Sequence, residues 1–285
     1  MSSDITWLFG IEKYFHFVND VEKKKFIRNI INLIYSEQDS KPWSLKTLMV
    51  DDYAKYPDRH RESRLTFYTT VCSKNIIGTK EIIDTMKSIW PEDDLIQKLS
   101  KILGLGYENI MSVIFGKSQV QSKIWLAEVL YKYDLNFNHI LLIGGWLTHH
   151  SLYLKDINYN KLFSIDPDKK HNELISIINP DALILNKDVN KCIDKDGNIM
   201  FRDKMLEPSL IINTSAEHMT DDWFHMLKPG TKVIIQSNSS PIEDDHVNYA
   251  EHIEEFLQKY RMKNIFYRGE TRLTKYTRFM IYGEK

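Results

Sequence analysis

The chain has 285 residues, of which 42% are hydrophobic, 12% aromatic and 27% charged. That content supports a buried core and excludes a mainly disordered chain, and the length allows one large domain or two of ordinary size. The formal net charge of −1 excludes nucleic-acid binding through bulk charge, while leaving room for a local basic patch. Two cysteines, Cys72 and Cys192, are too few for a disulfide framework or a Cys-rich zinc site. No apolar run reaches the roughly 18–20 residues of a bilayer span. The start, MSSDITWLFGIEKYF, has neither the basic n-region nor the cleavage site of a secretory signal. A cytoplasmic protein without membrane association is expected.

From about Val21 to Tyr133 the apolar residues recur at helical spacing. DRHRESRLTFYTTVCSK reads as a helix behind Asp58. Around its start, Tyr53, Tyr56, Arg59, His60, Arg61, Arg64, Phe67 and Tyr68 interleave basic and aromatic residues. Arg61, Arg64 and Tyr68 share a helix face, which can hold phosphates or stack on a planar group, and they are substrate-binding candidates. A solvated basic face is the plainer reading. Pro91 opens PEDDLIQKLSKILG, with acids in the first turn and Gly104 just past the last apolar position. YENIMSVIFG ends at Gly116, and Ser118 can cap SQVQSKIWLAEVLYKY, whose Ile124, Leu126, Ala127, Val129 and Leu130 form an apolar stripe. Residues 1–136 are thus expected to form an all-α domain of about five to seven helices.

After Asn138 the pattern changes. HILLIG, LFSID, ALILN, SLIIN and TKVIIQS are short apolar strands. Between them lie GWLTHHSLYL, DPDKKHNELISII and AEHMTDDWFHML, read as helical. This alternation is the signature of a parallel sheet covered on both faces. HVNYAEHIEEFLQKY reads as a further helix. NIFYRGETRL and YTRFMIYGEK then read as two strands, and the few residues between them require antiparallel pairing. Residues 137–285 are therefore expected to form an α/β domain with one seven-stranded sheet ending in an antiparallel hairpin.

Ligands of such sheets bind beyond the carboxyl ends of the strands. After the first strand, Gly144 and Gly145 let a ligand approach backbone amides, and Trp146 can cover one side of it or pack between the two domains. Asp166 ends the second strand about twenty residues later, where an acid can accept from both hydroxyls of a ribose. Asp188, past the third, can accept from an adenine amino group. Asp168 reads as the N-cap of the helix that follows. SLIIN delivers Asn213, Thr214, Ser215, Glu217 and His218 to the same edge. His218 is the candidate general base, with Glu217 or Asn213 to orient it or the substrate. Alternatively Ser215 or Thr214 caps a helix whose first turn Glu217 completes. Ser215, Gln236, Asn238 and His246 are candidate substrate contacts. Tyr276 and Arg278 lead into the last strand, where an arginine is more simply a surface charge than a carboxylate clamp. His149 and His150 are expected to line the ligand pocket or cap a helix. Neighbours on a helix point about 100° apart and cannot easily share one ion, so no metal is expected there.

The strand count, terminal hairpin, Gly-Gly loop, Asp166 and the Lys-Pro-Gly before TKVIIQS resemble class I S-adenosylmethionine-dependent methyltransferases, over roughly Asn138 to Lys285. IINTSAEHM, IIQSN and YTRFMIYG are similar, more narrowly, to phage-encoded methyltransferase-like proteins. The resemblance implies a Rossmann-like sheet and S-adenosyl-L-methionine as cofactor. It further implies a methyltransferase acting on an N or O acceptor. The usual GxGxG loop is here GGWLTHH, and neither an Asn-Pro-Pro-Tyr motif nor a catalytic Pro-Cys pair is present. A small-molecule acceptor is therefore expected over a nucleic acid. A helical domain ahead of this sheet is also similar to nicotianamine synthase, which implies aminocarboxypropyl transfer from the same cofactor. A catalytically degenerate fold serving as a binding module is the third reading.

Overall fold

The computed structural model describes residues 6–36, 78–107, 109–241, 246–273 and 276–285. Packing divides the chain into two compact units, Met1–Ile124 and Trp125–Lys285. The division falls inside a helix, upstream of the change of pattern near residue 137.

The first unit holds α1 (Trp7–Phe17), α2 (Val21–Ser36), α3 (Thr79–Ile89), α4 (Asp94–Gly104), α5 (Ile110–Ile114) and the first part of α6 (Lys117–Tyr133). Among the described residues, no strand precedes Asn136. The α4 start differs from expectation: Asp93 is the cap, its carboxylate accepting from the Ile96 amide at 2.9 Å, and Pro91 lies outside the helix. Asp93 also pairs with Lys23 of α2 at 2.8 Å. Gly10 sits where α1 touches the backbone of Phe115, and a Cβ there would stand 1.7 Å from the Phe115 carbonyl oxygen. Gly10→Ala should therefore destabilise the protein. Overpacking of about 1–3 kcal/mol exceeds the gain in helix propensity of about 1 kcal/mol. A thermal melt checks this, and an unchanged or raised Tm contradicts it. The expected helix carrying Arg61, Arg64 and Tyr68 lies outside the described residues.

The second unit is built on the expected sheet. Its strands are β1 (Asn136–Ile143), β2 (Asn158–Ile165), β3 (Leu183–Leu185), β6 (Leu210–Asn213), β7 (Lys232–Asn238), β8 (Asn264–Arg272) and β9 (Thr277–Glu284). They lie in the order β3-β2-β1-β6-β7-β9-β8. The five strands from β3 to β7 are parallel, and β9 pairs antiparallel with both β7 and β8. A separate hairpin, β4 (Ile199–Phe201) with β5 (Lys204–Leu206), had no counterpart among the expected elements. The central strands are buried on both sides, so their sequences read as continuous apolar runs. Leu141 and Ile143 face a core with Trp223, Phe224 and Phe256, whereas Ile140 and Leu142 face Leu126, Leu130 and Leu154. Edge strand β8 instead alternates exposed and half-buried residues.

The helices between the strands are shorter than their patterns suggested. Only a 3₁₀ turn, His149–Leu152, follows the Gly-Gly loop. Trp146 and Thr148 adopt left-handed φ values of 43° and 53°, a conformation in which no α-helix begins. AEHMTDDWFHML divides into a 3₁₀ turn, Ala216–His218, and α8 (Asp222–Met226). Asp168 does not cap α7 (Asn172–Ile178), because His171 occupies the N-cap position. The last helix, α9 (Ile253–Lys259), starts behind His252, whose Nδ1 accepts from the Glu255 amide at 3.1 Å. Among the described residues no helix is long and apolar enough to cross a membrane.

Candidate functional site

The chain runs outward from β1 to β3 and returns to β6 on the other side of β1, so the direction of winding switches between β1 and β6. That switch is where open sheets of this kind bind ligands. Ile143 is in register with Asn213, which brings the Gly-Gly loop and the polar run after β6 side by side.

The loop is a strained turn held by Asp166. Gly144 has φ 62°, a left-handed value that favours glycine, and a Cβ on it would stand 2.9 Å from Met219 Cε. A Cβ on Gly145 would meet Ser164 Oγ at 2.4 Å, so packing against β2 forbids a side chain there. The loop amides are not all free, as the sequence suggested. Gly144 donates to the Ile165 carbonyl at 3.0 Å, and Trp146 donates to Asp166 Oδ2 at 2.8 Å. Asp166 Oδ1 accepts from the Asp168 amide at 2.9 Å. The Trp146 indole donates to His171 Nδ1 at 3.1 Å and meets His149 edge to face. His149 and His150 are both buried, and His150 Nε2 lies 2.7 Å from Thr214 Oγ1. Asp188 caps the turn after β3, accepting from the Asn190 amide at 3.0 Å. Asn186, which sequence reasoning did not single out, donates to the carbonyl of Asp168 at 3.0 Å and so ties β3 to the Asp166 turn.

Across the switch, Asn213 is occupied locally: its Oδ1 accepts from the Ser215 amide at 2.9 Å and its Nδ2 donates to Met219 Sδ. Ser215 precedes the 3₁₀ turn without a side-chain capping bond, so the capping alternative does not hold for it. Glu217 is buried and accepts from Asn238 Nδ2 at 2.7 Å. His218 beside it is exposed over about a third of its side chain and lies edge to face with His246, the ring centres 4.7 Å apart. Gln236 is fully enclosed and turns its Oε1 toward Arg278 Nε at 3.4 Å rather than toward an open surface.

Arg278 is the main correction. It is 4% exposed, not a surface charge. Its Nη1 lies 3.4 Å from Glu217 Oε1, and Nη2 donates to the Thr214 carbonyl. One guanidinium thus binds the end of β6, the turn after it and β7. The signal was its place opposite Asn238 in the β7–β9 register, which only strand pairing reveals.

A cleft of about 860 Å³, lined by Asn136, Asn138, Asn158, Asn160 and Lys155 among others, opens at the amino ends of β1 and β2. It lies at the wrong edge for strand-tip chemistry, and the carboxyl edge is the better candidate.

No protein-family model matches the chain, and no curated protein does. Solved structures of similar shape include the N-methyltransferase NodS from Bradyrhizobium japonicum WM9. It is 12% identical with a TM-score of 0.43, over 58% of this chain and 95% of that one. Its complex with S-adenosyl-l-homocysteine scores 0.44 at 12% identity, over 59% and 87% of the two chains. A SAM dependent methyltransferase from Aquifex aeolicus scores 0.38 at 16% identity, over 55% and 87%. At such scores the assignment of a Rossmann-like fold rests on the strand order and pairing of this chain itself.

Proposed function

We propose that the protein is an S-adenosyl-L-methionine-dependent methyltransferase acting on a nitrogen or oxygen acceptor of small-molecule type. The observation that carries this reading is the pairing, across one winding switch, of an acid-pinned loop with a buried Glu beside a solvent-facing His. The residues fit the cofactor. Each oxygen of the Asp166 carboxylate accepts a single backbone amide and keeps capacity for the hydroxyls of a ribose. Gly144 and Gly145 shape the loop beside it, Trp146 lies along it, and Asp188 would face the adenine. When bound, S-adenosylmethionine supplies an electrophilic methyl group on a sulfonium.

The chain's own contribution is alignment of the acceptor and relief of its proton. His218 and Glu217 are the side chains that ease that proton's removal. Asn213 holds the turn that presents them, and Ser215 and His246 border the acceptor. The buried Asn238, its amide taken by Glu217 and the Ser240 amide, acts indirectly by holding Glu217. Gln236 acts indirectly, by holding Arg278.

Asp166→Ala should weaken S-adenosylhomocysteine binding by about 1.5–3 kcal/mol, the scale of hydrogen bonds to a charged acceptor. Calorimetry measures this, and binding unchanged within about twofold would remove Asp166 from the site. Product analysis tests the reaction class. Formation of S-adenosylhomocysteine supports methyl transfer, whereas methylthioadenosine would indicate aminocarboxypropyl transfer.

A further inference from the structure

Glu217, His218 and His246 each offer a metal-ligating atom, and these atoms all lie within 4.8 Å of one another. We propose that this trio binds a divalent transition-metal cation through the Glu217 carboxylate and the Nε2 atoms of both histidines.

Glu217 carries the first independent observation. Its side chain is 3% exposed, and Oε1 is taken by Asn238 and Arg278, yet among the described residues Oε2 is buried with no hydrogen-bond partner. A carboxylate oxygen left so is costly, and a cation accounts for it. His246 carries the second. Its Nδ1 lies 2.6 Å from the Ser240 carbonyl oxygen, which can only accept, so Nδ1 holds the proton and Nε2 is the ring nitrogen of the ligating type. A backbone carbonyl behind a histidine is the usual support of a metal ligand. His218 Nε2, 4.0 Å from Glu217 Oε1, closes the trio from the solvent side.

Ligand atoms around a cation held at about 2.1 Å stand roughly 3–3.5 Å apart. Loading therefore requires a small contraction, which the partly exposed His218 side chain can supply. Two imidazoles and one carboxylate suit manganese, iron, cobalt or zinc rather than magnesium or calcium, which prefer all-oxygen shells. Three protein ligands leave positions open for water or for an acceptor oxygen, whose proton the cation would make easier to lose. Cation binding stands by itself, whereas this role for it rests on the methyltransferase reading.

The test uses the full chain stripped with chelator and titrated calorimetrically with Zn²⁺ alone, and with Co²⁺ followed by its visible spectrum. One saturable equivalent is expected. His218→Ala and His246→Ala should each weaken it by more than about 100-fold, beyond the range seen for outer-shell partners, while the exposed-site control His225→Ala leaves it unchanged. Circular dichroism confirms that each variant is folded. Absence of saturable binding, or equal affinity in wild type and both variants, overturns the proposal. S-adenosylhomocysteine is titrated into the same samples. A protein that binds S-adenosylhomocysteine but shows no saturable cation binding overturns this inference alone. One that binds the cation but no S-adenosylhomocysteine keeps this site and overturns the methyltransferase reading.

Discussion

Arg278→Met should destabilise the protein by about 3–5 kcal/mol, the cost of leaving a buried charge without its partner. The guanidinium is almost completely enclosed and lies 3.4 Å from Glu217, whose own side chain is 3% exposed. Without it the carboxylate loses its guanidinium partner though it keeps the Asn238 amide, and the Thr214 carbonyl loses the hydrogen bond from Arg278. Methionine fills similar space, so the loss reports charge and hydrogen bonding more than a cavity. Lysine should rescue only part of it, since one ammonium cannot reproduce the planar fork. The double variant Arg278→Met with Glu217→Gln should be more stable than Arg278→Met alone, because it removes the stranded charge. Urea denaturation with chelator present measures all three. A loss below about 1 kcal/mol, the scale of an exposed pair, would show that the network does not carry the load assigned to it.

His218→Ala should have the opposite profile, with intact stability and lost activity. The imidazole is exposed over about a third of its surface, so its removal opens no buried cavity. Stability should stay within about 0.5 kcal/mol of wild type, as for most surface substitutions. Turnover of an acceptor found by screening with labelled methyl donor should fall by about 100-fold or more, the usual contribution of assisted proton transfer. Affinity for S-adenosylhomocysteine should stay within about twofold, because the loop and Asp166 lie on the other side of the switch. Full activity in a folded variant would move the role to Glu217. Parallel losses of stability and cofactor affinity would make His218 a structural residue.

The seven-stranded sheet was legible because strands buried on both faces must be apolar throughout, as in Ile140–Ile143 and Leu210–Ile212. The polar tips were legible for a related reason, since Asn213 to His218 directly follow such a run. The loop conformation was not. Left-handed Trp146 and Thr148 hold their φ values through Asp166 and neighbouring packing, which no local pattern announces. For Arg278 the surface reading was favoured over the carboxylate clamp because one cation in TRFMIYG gives no hint of the partners that β7 and the turn after β6 bring to it. The approach of His246 to His218 joins residues far apart in sequence, so spacing could not show it. Short helices such as α8 and α9 were overextended because apolar spacing continues through segments whose backbone does not.

The most direct measurement is calorimetric titration of the wild-type protein with S-adenosylhomocysteine, with Asp166→Ala as its companion. A single saturable site that the variant weakens by the stated amount is the predicted result. No binding to wild type, with the protein shown to be folded, would contradict a cofactor-dependent transferase and leave the fold as a binding scaffold.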